Sequence, residues 1–402
     1  MNKTRFKYLF LILIILFPAS LGAVDLGLLL NQYVGLNSAE PDNTHFEYRA
    51  GLIPRLSLLI GDTGSFFTSA SLNIGYSTDS KFYFVPELLR TEFSMRFGAF
   101  GISAGRIGYS EPLTFIAQGL FDGVRLTHSS SIGRIGFGAW YTGFLYKKNA
   151  EIAMTKNDQI LLESDLDFGN FAKTYFAPNR MVMALDWEHP SVADFLLLKA
   201  TVMGQIDFAC SEKYHSEYII LKAGLPLKNF MIEAGGSIEI IQDDSDNNLA
   251  LAGELGCTYF LPTSFMSRLS FAGRFASGAS EKTLGAFVPI NSKSYGNVFD
   301  SKMSGLTLLS LDYSARILDS LGASITASYF IRNGCTEFFN YSGASLDKRL
   351  LGGEFFGKIV WSIFSDLQLT LGGGTFIPAM GNYWPDLKTQ WCVNLTAVLG
   401  IY

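Results

Sequence analysis

From residue 25 onward, apolar and polar side chains alternate along short runs separated by turn-forming stretches. The cleanest run closes the chain. Trp391, Val393, Leu395, Ala397, Leu399 and Ile401 alternate with Cys392, Asn394, Thr396, Val398 and Gly400. A period of two sends successive side chains to opposite faces of a strand, so one face is apolar and the other more polar. Within 322–332, Ala323, Ile325, Ala327, Tyr329 and Ile331 oppose Ser324, Thr326, Ser328 and Arg332. Within 304–317, Leu309, Leu311, Tyr313 and Ala315 oppose Ser310, Asp312, Ser314 and Arg316. Within 349–363, Phe355, Ile359 and Trp361 oppose Glu354, Lys358 and Ser362.

Read this way, the chain predicts 18 strands. The first nine fall near 25–37, 45–60, 65–77, 81–97, 99–108, 121–129, 132–146, 181–189 and 194–208. The rest fall near 216–226, 230–241, 249–261, 267–279, 304–317, 322–332, 349–363, 367–377 and 388–402. Short links recur after every second strand, at 61–64, 129–133, 226–229, 318–321 and 364–366, while long links fall at 147–180, 280–303 and 333–348. Short periplasmic turns alternating with long outer loops are the mark of an outer-membrane barrel. Trp187, Tyr259, Tyr313 and Trp361 share outward parity late in downward strands, where a periplasmic aromatic girdle belongs. The expected fold is therefore all-β: one transmembrane antiparallel barrel over 24–402, with an interior too wide for side chains to fill.

The N-terminus fits export. Lys3, Arg5 and Lys7 precede an apolar run, Tyr8 to Phe17, which ends at Pro18 and the small residues Ala19, Ser20, Gly22 and Ala23. That is the pattern of a cleaved signal peptide over 1–23 and is too short for a spanning helix. The expected location is the outer membrane of a two-membrane bacterium. The expected partners are outer-membrane lipid, the lipopolysaccharide-type surface and the barrel assembly machinery. Subtracting the +3 of Lys3, Arg5 and Lys7 from the whole chain's −5 leaves −8, which argues against nucleic acid. Hydrophobic residues make up 48% of the chain, with no helix-length apolar run after the signal, as lipid-facing strands require.

Catalytic and metal chemistry find little purchase. Gly101-Ile-Ser103-Ala-Gly105 matches GxSxG, but no helix follows to form the strained elbow that exposes such a serine. His45, His128, His189 and His215 are isolated, and Cys210, Cys257, Cys335 and Cys392 lack metal or disulfide-framework spacing. The run 242–248 resembles part of a calcium loop without its glycine and closing glutamate. No enzyme, metal site or cofactor is expected.

The lumen is where charge collects. Inward parity gathers the basic residues Arg96, Arg125, Arg134, Lys199, Lys222, Arg268, Arg274, Arg316 and Lys358. Arg106 joins them only if a bulge or strand end turns it inward. The acidic set is Glu92, Asp186, Asp207, Glu233, Glu239, Glu254, Asp312 and Glu354. Two roles are open for them: a salt-bridge lattice that stiffens the barrel, or a selectivity surface in which basic rings attract anions. The segment 110–119 has no clean alternation, and Glu111, Pro112, Phe115 and Gln118 are its candidate constriction residues.

Gly105-Arg106, Gly119-Leu-Phe-Asp-Gly-Val-Arg125, Gly352-Gly-Glu354 and Leu369-Thr-Leu-Gly-Gly-Gly-Thr-Phe-Ile-Pro378 together resemble the alginate-export-like outer-membrane porins, over 99–146 and 349–402. The resemblance implies a barrel of about 18 strands with a basic lumen conducting an anionic polysaccharide. The sequence thus points to a porin or exporter for small or anionic hydrophilic solutes. The alternative is an adhesin-like surface barrel whose pore is plugged.

Overall fold

The computed structural model describes residues 21–40, 43–78, 81–209, 213–243, 247–279, 285–291, 293–334, 348–383 and 387–401. The expected signal segment lies outside the described residues up to residue 20, as do Cys210, Cys335, Tyr402 and part of the acidic run, 244–246.

Eighteen strands close into one antiparallel sheet. The first six are β1 (Leu21–Glu40), β2 (Asn43–Ile60), β3 (Gly64–Ser77), β4 (Lys81–Phe97), β5 (Phe100–Ser110) and β6 (Gln118–Ser130). The next six are β7 (Gly133–Tyr141), β8 (Arg180–Val192), β9 (Leu196–Asp207), β10 (Tyr214–Leu227), β11 (Phe230–Asp243) and β12 (Asn247–Phe260). The last six are β13 (Arg268–Ala276), β14 (Leu306–Leu318), β15 (Leu321–Arg332), β16 (Leu350–Ser362), β17 (Leu367–Ile377) and β18 (Gln390–Ile401). Every strand pairs with its sequence neighbour, and β1 closes the ring on β18 with Leu28 opposite Ile401. Closure pairs every strand on both sides over at least part of its length.

The alternation expected from the sequence sets inside and outside. Val393 and Leu395 on β18, Leu311 and Tyr313 on β14, Ile325 on β15 and Ile359 and Trp361 on β16 are all exposed on the outer face. The main buried cluster lies inside the barrel, around Phe115, Trp140, Tyr218, Phe287, Phe330 and Phe376. It forms because loops at the long-link end fold inward. This is why β7 ends at Tyr141 and β13 at Ala276, short of the expected 146 and 279. Thr142 leaves the wall through paired hydrogen bonds with the Arg180 backbone.

β4 holds one irregularity the alternation did not announce. Thr68 pairs with Thr91 and Ala70 with Leu88, so Leu89 and Arg90 stand together opposite Ser69 as a bulge. Beyond the bulge β4 parts from β5. Their pairing stops at Thr91 opposite Arg106, although β4 runs on to Lys81 along β3 and β5 runs on to Ser110 along β6.

Candidate pore and its loop constriction

Three inward loops meet in the lumen. Phe115, on the β5–β6 loop, packs edge-on against Phe287 and Tyr295 of the β13–β14 loop. The Ile116 carbonyl accepts from the amides of Ile290 and Asn291, and the Gln118 amide donates to Asn291 Oδ1 at 2.8 Å. Asn291 Nδ2 donates at 2.6 Å to the carbonyl of Ala150, on the β7–β8 loop. The same β5–β6 loop reaches β11, where a Cβ on Gly235 would stand 2.5 Å from Leu113 Cδ2. A loop between β5 and β6 that touches β11 reaches across several strands of the ring inside the barrel.

Glu111 holds that loop in shape. Its carboxylate accepts from the Ile116 amide at 2.8 Å and from the Leu113 amide. Burial pushes its carboxyl above the usual range, and the surrounding backbone amides pull the other way. Phe115 is buried, and Pro112 and Gln118 are half-buried.

Carboxylates on the wall anchor the β13–β14 loop. Glu354 is 1% exposed and accepts from the amides of Asn297, Val298 and Phe299 at 2.8, 2.9 and 2.9 Å. Glu239 accepts from the Val288 amide at 2.8 Å and from the hydroxyls of Tyr214 and Tyr218 at 3.0 and 3.1 Å. A buried carboxylate is tolerated only when donors replace its water, and here the donors belong to the loop or to its seat.

Arg180 does the same for the β7–β8 loop. Fully buried, it pairs with Asp158 at 2.6 Å and Asp207 at 3.1 Å, and donates to Gln205 Oε1 and the Tyr214 carbonyl. Asp158 also closes the capping box with Thr155 on α2 (Lys156–Glu163), which follows the single turn α1 (Lys147–Ala150).

Below the loops lies a cavity of ≈ 580 Å³. Arg90, Arg96, Arg125 and Arg134 line it with Glu92 as the only acid among them. Arg125 pairs with Asp186 at 2.8 Å and lies 5.4 Å above the Tyr109 ring. Asp186 also accepts from Tyr109 and Thr201, and Glu92 is met by Arg90 and Ser94. Four cations against Glu92 and Asp186 leave this wall a net charge of about +2, whose field the narrow space focuses. Ser103 lies on the same wall within β5, its Oγ 2.9 Å from Ser94 Oγ.

The remaining residues expected at the pore scatter. Lys222 bridges Glu233 and Glu254 at 3.1 and 2.7 Å, and Arg274 approaches Glu254 at 3.6 Å beneath the Tyr295 ring. Lys199 meets Glu188 at 3.4 Å, and Asp312 accepts from Thr326. Arg268 donates to Ser314 Oγ, Arg316 turns to Asp319 at the short-turn end, and Lys358 is exposed. Asp207 is consumed by Arg180 and Glu354 by the loop amides.

Arg106 is placed apart from the other arginines. It keeps the outward parity of strict alternation, opposite Thr91 and Asp122, and is 6% exposed. It is bound to Asp122 and to the carbonyls of Leu88 and Phe144.

A second cavity of ≈ 600 Å³ lies against the β7–β8 loop, lined by Tyr33, Arg49, Tyr83, Tyr146, Lys147 and Lys148 among others. Sequence reasoning missed it, along with Arg90 and Arg180. Arg90 shares the parity of Glu92 and Arg96 and so carried a usable signal, whereas Lys147 and Lys148 sit in a stretch without periodicity. Tyr33 and Arg49, which stack at 4.5 Å, carried a usable signal, since they face each other across the β1–β2 ladder.

No protein-family model matches this chain, and no curated protein is recognisably similar to it in sequence. Solved structures are. Pseudomonas aeruginosa OpdQ superposes with a TM-score of 0.61 at 12% identity, over 94% of this chain and 99% of that one. P. aeruginosa OprD gives 0.58 at 13% identity, over 95% and 96%. P. aeruginosa OccK2 (OpdF), solved in complex with glucuronate, gives 0.62 at 10% identity, over 95% and 98%. The structural neighbours are OprD/Occ outer-membrane porins, and the likeness carries the fold: a closed 18-stranded barrel of the porin kind.

Proposed function

We propose that this chain is an outer-membrane channel for small anionic hydrophilic solutes, with its short turns in the periplasm and residues 1–23 removed on export. The observation that carries this reading is the cavity shared by Arg90, Arg96, Arg125 and Arg134 below a loop that reaches across the lumen. A solute squeezed past the loop comes within a few ångströms of these cations, well inside the screening length of about 10 Å at 0.1 M salt. One structural neighbour was solved with glucuronate, a small organic anion, which supports the same solute class. The sequence resemblance to alginate-export-like porins would extend the reading to an anionic polysaccharide, but the solved structures that this chain resembles are OprD/Occ porins instead. The interlocked loops favour the smaller solutes.

The test is the reversal potential in a salt gradient across a planar bilayer. The wild type is expected to prefer anions, and Arg125→Glu with Arg134→Glu to move selectivity toward cations. An unchanged potential in a conducting double variant rejects the basic wall and favours a stiffening salt-bridge lattice.

The second reading is a plugged surface barrel, supported by the buried apolar cluster inside the lumen. It predicts no conductance. Under either reading the protein partitions with outer membranes, meets lipid and the lipopolysaccharide-type surface, and reaches them through the barrel assembly machinery. Both also predict slower or faster gel migration before heating than after. Recovery as a soluble periplasmic protein would sink both.

A further inference from the structure

Three adjacent strands thin the wall beside the β7–β8 loop. Gly35 on β1, Gly51 on β2 and Gly75 on β3 have inward parity, and each is overlain by a longer side chain. A Cβ on Gly35 would stand 2.9 Å from Tyr33 Cζ, one on Gly51 would stand 2.7 Å from Asn73 Oδ1, and one on Gly75 would overlap the Tyr83 ring. Gly75 is the ladder partner of Tyr83, so this ring leans onto the neighbouring strand and lies along the wall. With no side chain on these glycines, the tyrosines need not stand up into the lumen. What forms instead is a recess, the second cavity of ≈ 600 Å³, closed on its loop side by Tyr146.

The charges around this recess balance and are mostly spent within the protein. Glu47, Glu87 and Asp165 stand against Arg49, Lys147 and Lys148. Arg49 grips Glu47 twice, Nε to Oε1 at 3.0 Å and Nη2 to Oε2 at 3.3 Å, and the Tyr83 hydroxyl donates to the same carboxylate at 3.3 Å. Asn149 donates to Glu87, and the buried Lys147 Nζ donates at 2.6 Å to both the hydroxyl and the carbonyl of Ser164. The arginine-lined cavity keeps an excess of cations, whereas this one presents dipoles without a net charge.

Such a lining suits one kind of molecule. An ion must displace a bidentate partner already in place. A hydroxyl need not, because it donates and accepts at once and can bridge a carboxylate oxygen and a guanidinium N–H. Asn31 and Thr396 add an amide and a hydroxyl to the same lining. The Arg49 guanidinium already lies 4.5 Å above the Tyr33 ring, while Tyr83 is half-buried and lines the recess. A ring laid along a wall offers its face to the apolar C–H face of a sugar ring, which leaves water there. We propose that the second cavity is a binding site for neutral saccharides, with Tyr83 as the stacking platform and the Glu47–Arg49 pair as the anchor for hydroxyls. Its volume falls within the range of about 300–1,000 Å³ usual for small-molecule sites. The site goes beyond the anion channel and does not depend on it.

The probe is maltose, titrated by calorimetry into the refolded barrel in lauryldimethylamine oxide, a detergent without a sugar head. The heat-sensitive gel shift verifies that each variant is folded. The wild type is expected to bind maltose saturably, with the same affinity at low and high salt, since no net charge is met. Tyr83→Leu keeps apolar bulk without the ring and should weaken binding roughly fivefold. Tyr83→Phe keeps the ring and should weaken it less. Should Tyr83→Leu fail to assemble, Asn31→Ala at an exposed position of the lining decides it and should weaken binding several-fold. Absence of saturable binding, or maltose binding that these changes leave at the wild-type value, overturns the saccharide site. Equal weakening by Tyr83→Leu and Tyr83→Phe rejects the stacking platform. An affinity that falls steeply with salt, or tighter binding of zwitterionic alanine than of maltose, assigns the recess to a charged solute and rejects the proposal. A barrel that binds maltose but conducts no ions keeps this site and rejects only the channel.

Discussion

Arg134 and Arg180 begin as the same kind of residue, an arginine at or near the start of a strand, and end in opposite states. Arg134 faces the ≈ 580 Å³ cavity with three other arginines, exposed to whatever passes. Arg180 is fully buried, held by Asp158, Asp207, Gln205 and a carbonyl. The contrast extends to whole regions. Along β4 to β7, toward the short turns, lumen charge lines open space. Toward the long loops, Glu239, Glu354 and Arg180 are spent on holding loops. Inward parity brings a charge to the lumen, but what lies over it decides whether it meets a solute or a backbone amide.

The largest effect should come from removing the buried cation. Arg180→Ala leaves Asp158 and Asp207 buried without their partner, a loss of about 3–5 kcal/mol for a broken buried pair. Arg134→Ala removes a solvated lining charge and should cost well under about 1 kcal/mol. The measurement is urea unfolding of the refolded barrel, followed by the heat-sensitive gel shift. Similar losses for both would mean the two regions do not differ as described.

Next in size is the loop that crosses the lumen. Gly235→Ala places a methyl against Leu113 and within 3.0 Å of the Leu221 carbonyl. Overpacking of this kind costs about 1–3 kcal/mol, and the loop can relieve it by withdrawing. Single-channel conductance should rise. The matching change in the open region, Gly101→Ala, meets mainly the Thr127 hydroxyl, which can rotate away, and should leave conductance unchanged. An unaltered Gly235→Ala channel would show that 111–117 is not the narrow point.

The outer face gives a smaller contrast. Near the lipid midplane an arginine costs about 2–4 kcal/mol, and near an interface about 0–1. Trp361→Arg, close to the short-turn end, should therefore impair assembly less than Gly357→Arg, deeper on the same strand face. Lys358→Ala, pointing inward between them, should do least. Equal yields of folded barrel from all three would overturn the assignment of inside and outside on β16.

Much of this was legible in the sequence because a barrel strand is a local object. The period of two gave all 18 strands and their outward Leu311, Ile325 and Trp361, and the longest links, 142–179, 277–305 and 333–349, fall at one end as expected, although 41–42, 78–80 and 244–246 at that end are short. Parity also brought Arg96, Arg125, Arg134 and Glu92 to one cavity. The failures lie where the physics is not local. The Leu89–Arg90 bulge inserts one residue and flips parity for half of β4. Glu354 and Asp207 have the right parity, but the loops that cover them return from far along the chain. Arg106 obeys its alternation, and its importance comes from strands that part there. Nothing in the spacing of 142–179, 285–291 or 293–305 foretells that these segments fold inward, since a loop packs by particular side chains and not by a repeat.

The smallest effect separates the two regions by pH. Glu111 is buried, and its burial raises its pKa in the folded loop. A carboxyl with a raised folded pKa binds its proton more tightly when folded. Its contribution to stability is fully present below the unfolded value and is lost as pH rises through the folded one. The β5–β6 loop should therefore be held more firmly at about pH 4 than at about pH 8. Amide exchange at Leu113 and Ile116, corrected for intrinsic rates, should show greater protection in acid, and Glu111→Gln should remove the difference. The amides of Gly101 and Ser103, on the arginine-lined wall away from this carboxyl, should show no such trend. Protection at Leu113 that falls in acid would mean that the amide hydrogen bonds to the ionised carboxylate outweigh its burial.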